Sequence, residues 1–75
     1  MRPLNTIAKE IRNDWKKVYY AAEPYLSAMS SMTSINQNYY YDSGNTIVLY
    51  FLANASAWRG DKARAIKSEL KAMLK

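Results

Sequence analysis

The stretch 39-YYYDSGNTIVLYFLANASAWRGD-61 holds four of the chain's seven tyrosines, its single phenylalanine, one of its two tryptophans and both glycines. Two backbone readings compete for it. In one, Tyr39 to Tyr41 and Thr46 to Leu52 are strands joined by Asp42-Ser43-Gly44-Asn45, giving an α+β fold with a hairpin at 39–52. In the other, Asp42 or Ser43 caps a helix that runs from about Gly44 to Trp58. The apolar pattern continues past Leu52 through Ala53-Asn54-Ala55-Ser56-Ala57, which is longer and richer in alanine than a strand, and this favours the helix. Such a helix is apolar on most sides and belongs at the centre of the fold. Arg59-Gly60-Asp61 would close it, glycine suiting the left-handed position after a helix and Asp61 the cap of the next one.

Outward from this centre, both flanks read as amphipathic helices. Leu4, Ile7, Ala8, Ile11, Trp15, Val18, Tyr19 and Ala22 recur at helical spacing, with Asn5 or Thr6 as the cap and Pro24 as the limit. Pro24 suits the first turn of a second helix bearing Tyr25, Leu26, Met29 and Met32, so the two form a bent hairpin or one kinked helix. Thr33 to Asn38 is a polar connection in which Ser34 and Gln37 have capping-box spacing. The last helix, Lys62 to Leu74, places Ala63, Ile66, Leu70, Met73 and Leu74 on one face. The expectation is an all-α bundle of about four helices, one domain spanning residues 1–75.

Composition narrows the chemistry. The 75 residues include no cysteine and no histidine, which removes the common nucleophilic, acid–base and zinc constellations. The carboxylates are scattered. Only Glu10 and Asp14 lie one helical turn apart, and facing Lys17 they read as surface charge rather than a catalytic pair. The two glycines are too far apart for a phosphate loop. The chain reads as a protein that is not an enzyme and needs no cofactor or metal. The opening MRPLNTIAKE lacks a secretory h-region, and the longest apolar run, Ile47 to Ala53, is seven residues against about 20 for a membrane span. A cytoplasmic protein without a membrane partner is expected.

Eleven Lys and Arg against six Asp and Glu give a net charge of +5, which favours an anionic partner. Lys9, Arg12 and Lys16 form one basic stripe, and Arg64, Lys67, Lys71 and Lys75 form another. If the first and last helices pack side by side, the stripes merge into a track for a phosphate backbone; otherwise they are solvated faces. Ala53 to Lys75, with Gly60 in the turn, also has the outline of a helix-turn-helix, although Arg59, Asp61 and Glu69 stand where that motif is usually apolar. Tyr39, Tyr40 and Tyr41 cannot all point inward on any regular backbone. With Asp42 they form the candidate protein-binding turn, while Trp15 and Trp58 fall on apolar faces and belong in the core.

The strings DWKKVYYAAEPYLSAM at 14–29, YDSGNTIVLYFLANASAWRGD at 41–61 and ARAIKSELKAML at 63–74 together resemble a group of short bacteriophage and prophage proteins. The resemblance covers nearly the whole chain and carries no activity or binding residue with it. It implies a context in which small proteins bind a host or phage macromolecule to regulate or block it, inhibitors of host defence among them. The functional expectation is a protein-interaction module that meets an acidic protein surface through Tyr39, Tyr40, Tyr41 and Asp42. The alternatives are nucleic-acid binding through Lys9, Arg12, Lys16, Arg64, Lys67 and Lys71, and a homo-oligomer with a tyrosine-rich self-interface.

Overall fold

Leu4, Ile7, Ala8 and Ile11, spaced three and four apart, line the buried face of the first helix, α1 (Leu4–Asp14). The computed structural model describes residues 2–39 and 42–74, Tyr39 by its backbone alone. Neither Asn5 nor Thr6 caps α1. Its N-cap is Pro3, and the backbone N–H groups of Leu4 and Asn5 donate to the carbonyls of Thr33 and Met32 at 3.3 and 2.8 Å. Backbone from beyond the second helix thus supplies acceptors that a side chain would otherwise provide.

The helix also ends well before Pro24. Trp15 leaves the helical region at φ −97°, ψ 89°, and its indole stacks on Trp58 with centroids 5.8 Å apart and planes 9° from parallel. Burying two indoles face to face outweighs the weak preference that would have carried the helix through Val18 and Tyr19. Residues 15–22 form an irregular link instead, in which Ala22 is buried and Tyr19 and Tyr20 are exposed.

Pro24 sits in the first turn of α2 (Glu23–Ser30), which buries Leu26, Ala28 and Met29. Met32 is buried just past its end. α1 and α2 pack against each other as a helical hairpin. The connection that follows is held by Gln37, whose side-chain carbonyl accepts from the Thr33 N–H at 2.9 Å and whose own N–H donates to the Ser34 carbonyl at 3.1 Å. Ile35 is the buried anchor of this otherwise polar segment.

The helix reading of the central stretch holds, and the hairpin at 39–52 does not. Thr46 to Leu52 is helical, and the short ladder that is present uses Asp42 and Ser43, the residues assigned to the hairpin's loop. β1 (Asn38–Tyr39) and β2 (Asp42–Ser43) pair antiparallel, Asn38 opposite Ser43 and Tyr39 opposite Asp42. The ladder ends there, because α3 (Gly44–Ala53) begins at the next residue with the Ser43 hydroxyl accepting from the Thr46 N–H at 3.2 Å. Gly44 is buried where a Cβ would lie 2.3 Å from the Ile35 carbonyl oxygen.

α3 does not reach Trp58. The Asn54 side-chain amide donates to the Tyr50 carbonyl at 2.9 Å and closes the helix, a side-chain competition with the backbone that asparagine makes readily. Nor is α3 buried on most sides. It buries Gly44, Ile47, Val48 and Phe51 and leaves Leu49 and Tyr50 exposed.

Residues 54–60 then lead to α4 (Asp61–Met73), whose N-cap is Gly60 at φ 115°, ψ 177°. The glycine therefore serves the entry to α4, not the exit from α3, and Asp61 lies inside the helix, paired with Arg64. α4 buries Ala63, Ile66, Leu70 and Met73, with Leu74 partly covered, as the spacing predicts.

The seven-residue connection 54–60 is too long for the tight turn of a helix-turn-helix, and α4 packs against α1. α3 packs on α2, so α1 and α2 occupy the middle. One continuous core joins all four helices, with Trp15, Phe51 and Trp58 in mutual contact at ring separations of 5.8 to 6.5 Å. The fold is the small all-α bundle that the sequence predicts. Among the described residues no helix is long and apolar enough to cross a membrane.

Candidate functional site

The seam between α1 and α4 decides what the two basic stripes can do. Arg2 bonds Glu69 through Nε at 3.0 Å and Nη2 at 2.6 Å and also pairs with Glu10. Lys62 approaches Glu10 at 3.7 Å. Bonding to Arg2 holds the Glu69 carboxyl below the usual carboxylate range. One turn further along α1, Asp14 accepts the Trp58 indole N–H at 2.7 Å. Glu10 and Asp14 therefore face α4 and the Trp58 segment, not Lys17, because α1 ends before Lys17 can share their face.

These acidic contacts occupy the seam, and the basic residues of α1 and α4 have surroundings of their own. Arg12 reaches α2, where Nη2 donates to Glu23 at 2.6 Å and Ser27 at 3.2 Å, and Lys9 shares that flank three residues earlier. On α4, Arg64 pairs with Asp61, and the Lys67 ammonium donates to the Trp58 carbonyl at 2.6 Å while lying 5.8 Å from the Trp58 ring centroid. Burial, then the charges of Lys71 and Arg59, lowers the Lys67 pKa. Lys16 is exposed at the end of α1 beside Lys17. α1 and α4 do pack side by side, with the ion pairs of Arg2, Glu10 and Glu69 between them.

Of the turn proposed as a protein-binding site, Tyr40, Tyr41 and the Tyr39 side chain lie outside the described residues, and Asp42 is exposed. Aromatic surface is found at another place. Tyr25, in the first turns of α2, meets Tyr50, near the end of α3, with ring centroids 5.5 Å apart. Tyr19 and Tyr20, edge to face at 4.8 Å, stand on the segment that leads into α2 at this same end. Tyr20 is 79% exposed, Leu49 54% and Tyr50 47%. Lys16 and Lys17 precede the tyrosine pair, and Arg59 follows Trp58, which stacks on Trp15.

Sequence reasoning missed Leu49 and Tyr50 because the whole of Ile47 to Leu52 is apolar and the buried face was not separated from the rest. The signal was present. Gly44, Ile47, Val48 and Phe51 follow the i, i+3, i+4, i+7 rule, which leaves Leu49 and Tyr50 on the opposite side with Asn45. No protein-family model, no curated protein and no solved structure matches this chain.

Proposed function

We propose that the protein is a non-enzymatic interaction module that binds an acidic protein face through the end of the bundle formed by Tyr19, Tyr20, Leu49 and Tyr50. The observation that carries this reading is the outward presentation of Leu49 and Tyr50 on α3. Half-exposed aromatic and aliphatic side chains on a rigid helix are the usual anchors of a protein interface, and Leu49 offers nothing to a phosphate backbone. Lys16 and Lys17, exposed in the link just before Tyr19 and Tyr20, supply the complementary charge that steers an acidic partner. The resemblance to short phage and prophage proteins fits an accessory protein that modulates a host or phage macromolecule.

The test is capture of partners by the whole chain, with and without nuclease, compared with the Tyr20→Ala, Leu49→Glu variant. A nuclease-resistant protein partner that the variant loses, while its melting temperature stays unchanged, supports the reading. Capture that nuclease abolishes, or that the variant retains, overturns it.

Nucleic-acid binding is the second reading, and it rests on Arg59, Lys67 and Lys71 lying close together, near enough that the two neighbours add to burial in lowering the Lys67 pKa. It requires affinity that falls steeply with salt, with a slope reduced by about two when Lys67 and Lys71 are replaced by glutamine.

A further inference from the structure

Between α1 and α2 lies an open groove of about 320 Å³ lined by Asn5, Thr6, Lys9, Arg12 and Ser30. The geometry points to a binding site for the phosphate of a small phosphomonoester. Asn5, Thr6, Lys9 and Arg12 can donate hydrogen bonds to a ligand, two carry a full positive charge, and no lining residue is a carboxylate; the Ser30 hydroxyl donates to the Leu26 carbonyl at 3.0 Å.

The one carboxylate nearby strengthens the site. Glu23 holds Arg12 by Nη2, together with Ser27, and Arg12 in turn holds the Glu23 carboxyl below its usual range, so the latch stays ionised at neutral pH. Among the described residues Nε and Nη1 of Arg12 make no bond, and the contacts of Nη2 bias the guanidinium toward the groove wall. Biasing it in advance removes part of the ordering cost of binding.

The charged donors, Lys9 and Arg12, stand three residues apart on α1. A planar carboxylate is satisfied by one guanidinium, whereas a tetrahedral dianion presents oxygens to the Arg12 guanidinium and the Lys9 ammonium at once. A volume of about 320 Å³ exceeds what a bare phosphate fills and falls at the lower end of small-molecule sites. The lining is polar, which suits a hydrophilic phosphate ester better than an apolar ligand.

The experiment is a titration of the ¹⁵N-labelled whole chain with inorganic phosphate, a nucleoside monophosphate and the parent nucleoside, followed by amide chemical shifts. Shifts confined to Thr6, Lys9, Arg12 and Ser30 with both phosphates and absent with the nucleoside are expected, tighter for the ester. Lys9→Gln should weaken binding about tenfold, whereas Lys16→Gln, in the link beyond the end of α1, should leave it unchanged. Both are exposed positions, so the fold is kept, and circular dichroism verifies it. Shifts spread evenly over the exposed lysines, equal effects of the two substitutions, or a response to the nucleoside alone would overturn the site.

Discussion

Trp58 donates its indole N–H to Asp14 across 44 positions of sequence, at 2.7 Å, while its ring lies flat on Trp15. One side chain thereby fixes the end of α1 and the approach to α4. Asp14→Ala removes a charge-assisted acceptor and should lower stability by about 1.5–3 kcal/mol in urea denaturation. Asp14→Asn, which keeps an acceptor of the same shape without the charge, should recover part of the loss. Equal stability of all three proteins would show that the bond is immaterial.

The two glycines are required for different reasons, and substitution separates them. At Gly44 a Cβ would strike the Ile35 backbone at 2.3 Å, and backbone cannot step aside as a flexible side chain would. Gly44→Ala should therefore cost about 2 kcal/mol or more. Gly60 has open space around it but a φ of 115°, so Gly60→Ala should cost about 1–3 kcal/mol through the backbone alone. A synthetic chain with D-alanine at position 60 should retain the stability of the parent, since the mirror-image residue accepts that conformation.

Acid should weaken the α1–α4 seam and the α1–α2 latch. Bonding to Arg2 depresses the folded-state pKa of Glu69, and bonding to Arg12 depresses that of Glu23. In the carboxylate range the unfolded chain then binds more protons than the folded one. The stabilisation is complete above the unfolded value of about 4.3 and is lost as pH falls through it toward the lowered folded value. Melting curves across this window should show a falling transition temperature, and Glu69→Gln should flatten part of that fall while lowering the transition at neutral pH. Parallel curves for the parent and the variant would remove Glu69 from the account.

Adjacent apolar residues of α3 should differ sharply in their effect on folding. Ile47 is almost fully buried, and Ile47→Ala should cost about 2–5 kcal/mol. Leu49 is more than half exposed, and Leu49→Ala should stay within about 0.5 kcal/mol. A large loss at Leu49 would mean that this face is covered in the folded chain.

These contrasts also show how far the sequence was legible. Helical periodicity located α1, α2 and α4 because each carries charge opposite its apolar face, as Lys9 and Arg12 stand against Leu4, Ile7 and Ile11. The ends were harder to place. α1 stops where Trp15 meets Trp58, α3 stops at Asn54, and the start of α1 is capped by backbone from Met32 and Thr33. Two of these three depend on partners far away in sequence, which local spacing cannot reveal. The surroundings of the charged candidates were hidden for the same reason. Lys9 and Arg12 were correctly assigned to one flank, but only the packing shows that this flank meets α2 and that Glu10 and Glu69 occupy the opposite seam with Arg2. On α3, where nearly every residue is apolar, composition alone could not separate inside from outside.

The bond between Arg2 and Glu69 spans 67 positions, and α1 takes the last helix as well as the second as its neighbour. A chain emerging from the ribosome can close the α1–α2 hairpin early, but the other flank of α1 stays uncovered until α4 has been made. Completion of the core thus waits on the synthesis of α4, and a chain interrupted before α4 would display the apolar side of α1 to whatever chaperone or protease it met first.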